Sequence, residues 1–183
     1  MRENSQKFLI VDPDVCTGCR ICELRCSLHH RRESNPSRAL LHVVRLESQG
    51  LFIPAVCKQC TEAFCMYACP TGAIYRDSST DAVLVDSAKC VGCRSCIVAC
   101  PWGLVWMNPE GRIDKCDLCG GDPQCAQWCP TEAIRYVRTD KQHLKKMRRA
   151  AIKDAHAVKD KEAILQKIYY SGRDRILSDA KKE

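Results

Sequence analysis

The chain contains sixteen cysteines among 183 residues, and their spacing is regular. They form four quartets, and three residues separate the last two cysteines of every quartet. The quartets are Cys16, Cys19, Cys22 and Cys26; Cys57, Cys60, Cys65 and Cys69; Cys90, Cys93, Cys96 and Cys100; and Cys116, Cys119, Cys125 and Cys129. A proline directly follows three of the quartets. Thiolates repeated in this way are metal ligands, and no cysteine is left over.

The spacing of the cysteines distinguishes between iron–sulfur ligation, zinc ligation and disulfide formation. The first and third quartets read C-x₂-C-x₂-C-x₃-C, in which three thiolates hold one [4Fe–4S] cluster and the fourth reaches a different cluster. Zinc sites favour separated C-x₂-C pairs, and disulfides need an oxidising compartment. Both alternatives fit the pattern less well. The count therefore predicts four [4Fe–4S] clusters, which would carry single electrons.

Two internal repeats indicate which quartets share clusters. Residues 9–26 align with residues 83–100 at a constant offset, and CPTGAI at 69–74 matches CPTEAI at 129–134. The second and third quartets thus form one contiguous pair. The first and fourth quartets lack local partners, so we expect them to pair across the inserted segment.

These pairs predict four ligand sets, named here A to D. Each set takes three cysteines from one quartet and the last cysteine of its partner quartet. The sets are A, with Cys16, Cys19, Cys22 and Cys129; B, with Cys26, Cys116, Cys119 and Cys125; C, with Cys57, Cys60, Cys65 and Cys100; and D, with Cys69, Cys90, Cys93 and Cys96.

Short apolar segments beside the quartets predict strands. They are rich in Ile and Val, as strands are. The candidates are Phe8–Asp12, Ala73–Arg76, Ala82–Asp86 and Ala133–Val137. Residues 77–81 read as a hairpin turn between the second and third candidates. The first and fourth candidates should lie side by side in the same way, without a connecting turn.

An insertion of residues 27–56 follows the first quartet. We expect a polar loop over Ser27–Ser37, with His29 and His30 solvated, and then a hairpin of Leu40–Leu46 and Leu51–Val56. Such an insertion favours a docking surface over a site. Ser27 replaces the proline of the other quartets, so a longer helix is possible there.

Charge is concentrated in the C-terminal tail. The formal net charge is +7, yet residues 1–137 hold fifteen basic and fifteen acidic residues, and residues 138–183 hold fourteen and seven. Apolar residues recur every three or four positions from Leu144 to Ile168, which predicts a basic amphipathic helix. Its use would be a helical arm for subunit assembly or self-association. Packing on its own core, or binding to nucleic acid or a membrane surface, are the alternatives.

Several functional classes are disfavoured. The longest apolar runs are a few residues, which is too short to span a membrane. The first fifteen residues lack the apolar core of a secretory signal, so a cytoplasmic location is expected. We find no catalytic triad and no glycine-rich nucleotide loop. Any bond-making chemistry would therefore belong to another protein.

The quartets and the stretch SRALLHVVRLESQGLFIPAVCKQC carry a resemblance. The chain resembles the four-cluster electron-transfer subunits of molybdenum and tungsten bis-pterin oxidoreductases. It looks most similar to the small subunits of enzymes of the aldehyde ferredoxin oxidoreductase and benzoyl-CoA reductase type. The resemblance implies two nested ferredoxin modules, no catalytic residues of its own, and ligand sets equal to A to D.

The sequence thus predicts an α+β fold of tandem, nested 2[4Fe–4S] ferredoxin modules with a hairpin insertion and a C-terminal helical arm. The expected segments are 1–26 and 108–137 for the split module, 27–56 for the insertion, 57–107 for the inner module and 138–183 for the tail.

The expected function is an electron relay between two partners. One is a catalytic tungsten or molybdenum pterin subunit, and the other is a second redox protein or flavin subunit. Two alternatives stay open. The partner could be a nickel hydrogenase or carbon monoxide dehydrogenase, or the chain could be a structural metal protein whose basic tail binds nucleic acid.

Overall fold

The computed structural model describes residues 7–138, and it has a small α+β fold with four short helices and four two-stranded sheets. The helices are α1 (Ile21–Arg31), α2 (Phe64–Tyr67), α3 (Ser95–Ala99) and α4 (Gln124–Gln127). The strands are β1 (Lys7–Val11), β2 (His42–Leu46), β3 (Leu51–Ala55), β4 (Ile74–Arg76), β5 (Val83–Val85), β6 (Trp106–Met107), β7 (Ile113–Asp114) and β8 (Ile134–Arg138).

The two repeats form matching strand pairs. Strand β4 pairs with β5 in an antiparallel hairpin, and β1 pairs with β8 although most of the described chain lies between them. The Asp86 amide donates to the Ala73 carbonyl at 2.7 Å, and the equivalent Asp12 amide donates to the Ala133 carbonyl at 2.8 Å. The predicted strand neighbours are therefore confirmed, each within about a residue of the expected bounds.

The turn of the β4–β5 hairpin is organised by one carboxylate. Asp77 Oδ2 accepts hydrogen bonds from the Thr80 amide at 2.8 Å and from the Thr80 hydroxyl at 2.7 Å. These bonds lower the Asp77 pKa to about 2, with the Ser79 hydroxyl as the largest contributor. The residue types of this segment thus close the turn locally, as turn-forming Asp, Ser and Thr do.

The inserted segment differs from its predicted form in one part. The hairpin is present as β2 and β3, with Gly50 in the left-handed conformation at its turn. The prediction of a polar loop from Ser27 was wrong for its first residues, because α1 continues to Arg31. Ser27 explains the difference, since its amide is available and its hydroxyl donates to the Leu24 carbonyl at 3.0 Å.

A third hairpin, β6–β7, was not predicted. Its strands have only two residues each, which is too short for a periodic pattern. Asn108 shapes the turn, because its amide donates to the Arg112 carbonyl and its side-chain oxygen accepts from the Arg112 amide, both at 2.8 Å. Gly111 supplies the left-handed residue at φ +73°.

Two apolar clusters form the interior. The first core contains buried residues of the first and fourth quartets and of the insertion: Cys22, Cys26, Ala39, Leu40, Leu41, Val43, Val56, Ala82, Cys116, Leu118, Cys125 and Ile134. The second core contains Ala63, Cys65, Ile74, Val83, Cys96, Val105 and Ile113. Cysteine side chains are thus part of both cores.

The described part of the chain has no helix that is long and apolar enough to cross a membrane. The predicted amphipathic tail lies outside the described residues. It stays a prediction.

Candidate metal centre

Each quartet is built on the same local geometry. The third cysteine is the second residue of a short helix: Cys22 in α1, Cys65 in α2, Cys96 in α3 and Cys125 in α4. All four are buried, with at most 9% of their surface exposed. The positive end of a helix favours a thiolate, so this placement suits a buried anionic ligand.

The first two cysteines of each quartet enclose a left-handed residue. The residue just before the second cysteine has φ +70° at Gly18, +46° at Gln59, +67° at Gly92 and +58° at Leu118. A non-glycine residue there costs roughly 1–2 kcal/mol. Gln59 and Leu118 are both buried, so packing and hydrogen bonds offset that cost. Only two of the four positions hold glycine, the residue that adopts this conformation most readily.

Two cavities contain complete predicted sets. A partly open cavity of about 300 Å³, solvent-facing space included, is lined by all four cysteines of set D together with Thr71, Ile74 and Arg94. A second cavity of about 290 Å³ is lined by all four cysteines of set A. Val43 and Pro54 of the insertion also line the second cavity, so the insertion forms part of a site wall and is more than a docking surface.

The cysteines of set B are near one another in the first core. Burial raises the pKa of Cys125, and the neighbouring charges of Cys26 and Cys119 raise it further. Burial likewise raises the pKa of Cys116 well above its usual value, and Cys125 adds to the effect. Cysteines of two distant quartets therefore face the same point.

Two cysteines of set C, Cys65 and Cys100, belong to or pack against the second core, and Cys57 packs against the first. Burial raises the pKa of Cys65, the Lys115 ammonium opposes this, and the charges of Cys57 and Cys100 raise it again. Cys57 and Cys100 come from different quartets, and the charges of both act on Cys65.

The electrostatic environment suits a cationic metal. Burial raises the pKa of Cys22 and of Cys26 to about 12, and that of Cys96 to about 11. A buried thiolate is unstable unless a positive charge compensates it. Iron coordinated by four sulfurs supplies that compensation, so the donor sets fit [4Fe–4S] clusters.

Donors to sulfur differ between sites. The Leu40 amide donates to Cys26 Sγ at 3.1 Å, and the Leu104 amide donates to Cys100 Sγ at 3.4 Å. Hydrogen bonds to cluster sulfurs favour the reduced, more negative state and raise the reduction potential. The insertion supplies the Leu40 donor, which the quartet motif alone does not show.

The two adjacent histidines are placed differently from the prediction. They lie on α1, so the predicted loop was wrong at these positions; His29 is exposed, as expected, whereas His30 is half-buried. His30 Nε2 lies 3.6 Å from Cys119 Sγ and 3.4 Å from Asp117 Oδ1. Burial lowers the His30 pKa, and Asp117 opposes this. The ligand atoms of His29, His30 and Cys119 lie within 4.8 Å of one another. Because Cys119 is a member of predicted set B, the three residues do not form a separate metal site.

A buried carboxylate beside set A was not predicted. Glu23 is 2% exposed, pairs with Arg20, and accepts a hydrogen bond from the Val43 amide at 2.8 Å. Burial alone would raise its pKa, but hydrogen bonds from His42, Val43 and Arg20 lower it overall. The residue therefore ties α1 to β2 as an anion. In the sequence, Glu23 is distinguished only by its charge, because the aligned residue of the other repeat is the apolar Ile97.

Comparison with known proteins gives a consistent result. The family model described as "4Fe-4S dicluster domain" matches residues 48–139. The chain is similar to the "Aliphatic sulfonate oxidoreductase, polyferredoxin-like subunit" of Pyrococcus furiosus, with 41% identity over 67% of this chain and 70% of that protein. It is also similar to the "Thiosulfate reductase electron transfer subunit PhsB" of Salmonella typhi, with 33% identity over 78% and 81%.

Solved structures also align with the chain. One of them is the "Active site complex BamBC of Benzoyl Coenzyme A reductase in complex with Benzoyl-CoA", with 22% identity, 89% of this chain and 96% of that chain covered, and a TM-score of 0.45.

Proposed function

Because the chain belongs to the 4Fe-4S dicluster-domain family, we propose that it is an iron–sulfur electron-transfer subunit relaying single electrons through four [4Fe–4S] clusters. Its relatives of known role are electron-transfer or polyferredoxin-like subunits of oxidoreductases. When bound, the clusters supply one-electron chemistry. The protein's part is to hold, space and insulate them, and the substrate reaction belongs to a partner.

The observation that carries the proposal is that cysteines of different quartets line common cavities, as the members of sets A and D do, and the charge effects between cysteines support an order of the sets. Cys22 of set A raises the pKa of Cys125 in set B, and Cys57 of set C raises that of Cys116 in set B, each adding to a larger effect of burial. Cys65 of set C does the same for Cys96 of set D. Neighbouring sets therefore interact in the order A, B, C, D.

Each end of this order reaches the surface. Cys19 of set A and Cys93 of set D are exposed, whereas the sets between them contain no exposed cysteine. A relay needs one accessible terminus for each partner and insulated sites between. We infer that sets A and D face the two partners and that sets B and C connect them.

The same grouping supports the ligand sets A to D and a nested arrangement of two ferredoxin modules. Under this proposal, the split module holds sets A and B, and the inner module of residues 57–107 holds sets C and D. Iron and sulfide analysis of anaerobically purified protein should give about sixteen Fe per chain. Half that value would overturn the four-cluster proposal.

We propose a tungsten or molybdenum pterin enzyme as the catalytic partner, with a second redox or flavin protein at the other terminus. The support is the sulfonate and thiosulfate enzymes to which the similar subunits belong by name. Anaerobic affinity purification from the native source, followed by metal analysis of the co-purifying protein, tests this. Tungsten or molybdenum is the expected result, and nickel would favour the hydrogenase or carbon monoxide dehydrogenase alternative.

The basic tail completes the proposal as an assembly arm. About −2 for each oxidised cluster with its four thiolates gives the rest of the chain a strongly negative charge, against the positive tail. Truncation at Thr139 should leave the iron content and the visible spectrum intact while releasing a partner or a sister copy. Loss of clusters with retained partners would place the tail in the core instead.

A further inference from the structure

Lys115 is a buried basic residue at the junction of the two cores. It is 6% exposed. Its ammonium donates hydrogen bonds to the Val83 carbonyl at 2.6 Å, the Cys116 carbonyl at 3.1 Å and Gln59 Oε1 at 3.3 Å. All three protons of the ammonium therefore have an acceptor, and every acceptor is uncharged.

Lys115 has no carboxylate partner in the described chain. Within residues 7–138, none of the ion pairs includes it. A buried ammonium is costly unless a negative charge compensates it. Neutral acceptors satisfy the hydrogen bonds but leave the net charge unbalanced, so an anionic group is expected nearby.

The nearby anions are thiolates of two sets. The Lys115 ammonium donates to the carbonyl of Cys116 in set B and to Gln59, the residue next to Cys60 of set C. Its charge also opposes the rise in pKa that burial causes at Cys116 and Cys65. Cys65 belongs to set C and Cys116 to set B. One cation thus acts on both inner sets, while the surface sets A and D have no comparable buried basic residue in the described chain.

The side chain of Gln59 helps to fix the position of the Lys115 ammonium. Gln59, 8% exposed, accepts from the Val83 amide at 2.8 Å through the same Oε1 that faces Lys115, and its Nε2 donates to the Cys116 carbonyl at 3.0 Å. Gln59 does this with its backbone in the left-handed region, where the first and third quartets have glycine. The side-chain contacts therefore justify a costly conformation.

We propose that Lys115 is the shared counter-charge of the clusters held by sets B and C, and that it raises the reduction potentials of both. The inference rests on the proposed four-cluster relay. Adding one electron makes a cluster more negative by one charge, and no bond is made or broken. A fixed buried cation stabilises that added charge, so reduction of the inner clusters becomes more favourable.

The test compares neutral variants by redox titration monitored with electron paramagnetic resonance. Lys115→Met should lower the reduction equilibrium constants of two clusters at least tenfold, which is about 59 mV for one electron. The size follows from the one to three pKa units that a nearby opposite charge typically contributes. The matched control is Arg45→Met, which removes an exposed charge on β2 that lines neither cavity and should change no constant more than threefold.

The possible outcomes distinguish failure of the Lys115 inference from failure of the proposed function. An iron-replete K115M protein with all four potentials within threefold of the parent overturns the inference and leaves the relay intact. A parent protein with far fewer than sixteen Fe instead overturns the proposed function. If K115M and Lys115→Gln both lose iron while Lys115→Arg keeps it, the positive charge is required and the inference stands. Loss of iron in the arginine variant as well would show that only side-chain shape matters.

Discussion

The two pairs of quartets share a repeat but differ in how they are held together. The first and fourth quartets rely on an eleven-residue helix, α1, packed on α4, with the insertion covering them. The second and third quartets rely on two short helices and the β4–β5 hairpin turn. A pair without a connecting turn thus gains extra tertiary contacts, since it lacks the local closure that the other pair has.

The side chains on the surfaces of the equivalent helices α2 and α4 also differ between the two pairs of quartets. At matching positions, α2 has Phe64 and Tyr67, which are 57% and 64% exposed, whereas α4 has Gln124 and Gln127. The side chain of Gln124 accepts from Arg25 on α1 at 3.0 Å. Polar residues of α4 therefore make contacts across the split pair, and the α2 aromatics extend into solvent.

Removal of iron should have the largest effect on the stability of the fold. It should also abolish the difference between the two pairs of quartets. Cysteines are members of both cores, so chelation removes the cross-links of both at once. We expect loss of cooperative thermal unfolding and of near-ultraviolet circular dichroism. A chelated chain that still melts cooperatively would show that the cores fold without clusters.

The equivalent glycines should respond unequally to alanine. Gly18 and Gly92 have nearly the same φ, but a Cβ at Gly18 would lie 2.5 Å from the Phe52 ring, while one at Gly92 would be 3.6 Å from its nearest neighbour. Both substitutions cost about 1–2 kcal/mol of backbone strain. Gly18→Ala should cost about 1–3 kcal/mol more through overpacking.

Denaturant unfolding of the two iron-loaded variants measures this difference. The double variant Gly18→Ala with Phe52→Ala is a control, because it should remove the steric part of the penalty. Equal losses in the two single variants would mean that the insertion does not constrain the first quartet.

Arg25 should contribute a moderate amount specific to the split pair. Its guanidinium lies 4.2 Å from the centre of the Trp128 ring and donates to Gln124, so it connects α1 to α4 twice. Arg25→Ala should lower the free energy of unfolding by about 1–2 kcal/mol. Arg45→Ala, at a half-exposed position, is the control and should change it by under about 0.5 kcal/mol. Equal effects of Arg25→Ala and Arg45→Ala would mean that the contacts of Arg25 between α1 and α4 do not stabilise the split pair.

Exchanging the helix surface should have the smallest effect. Phe64→Gln copies the α4 residue onto α2, and because the Phe64 side chain is largely exposed, the free energy of unfolding should change by about 0.5 kcal/mol or less. Calorimetry of the iron-loaded variant measures it. A loss above about 2 kcal/mol would mean that the aromatic side chain supports the second core.

Much of the fold was predictable from local pattern. The strands beside the quartets, the β2–β3 hairpin and the β1–β8 pairing were confirmed, because short Ile- and Val-rich segments and a repeated motif identify them without tertiary information. The β6–β7 hairpin was not predicted, and a longer α1 was given only as an alternative to the loop over Ser27–Ser37. A two-residue strand has no periodicity, and a polar helix end resembles a loop.

The sequence by itself determined the chemistry: sixteen thiolates at these spacings, in two repeats, indicate iron–sulfur ligation and which quartets pair. Tertiary structure alone decided the surroundings of the thiolates. Nothing in the local pattern placed the Lys115 ammonium on the Val83 carbonyl, Glu23 on the Val43 amide, or the Leu40 amide on Cys26. Ligand spacing is a property of neighbouring residues, whereas burial and charge arise from segments distant in the chain, which meet only after folding.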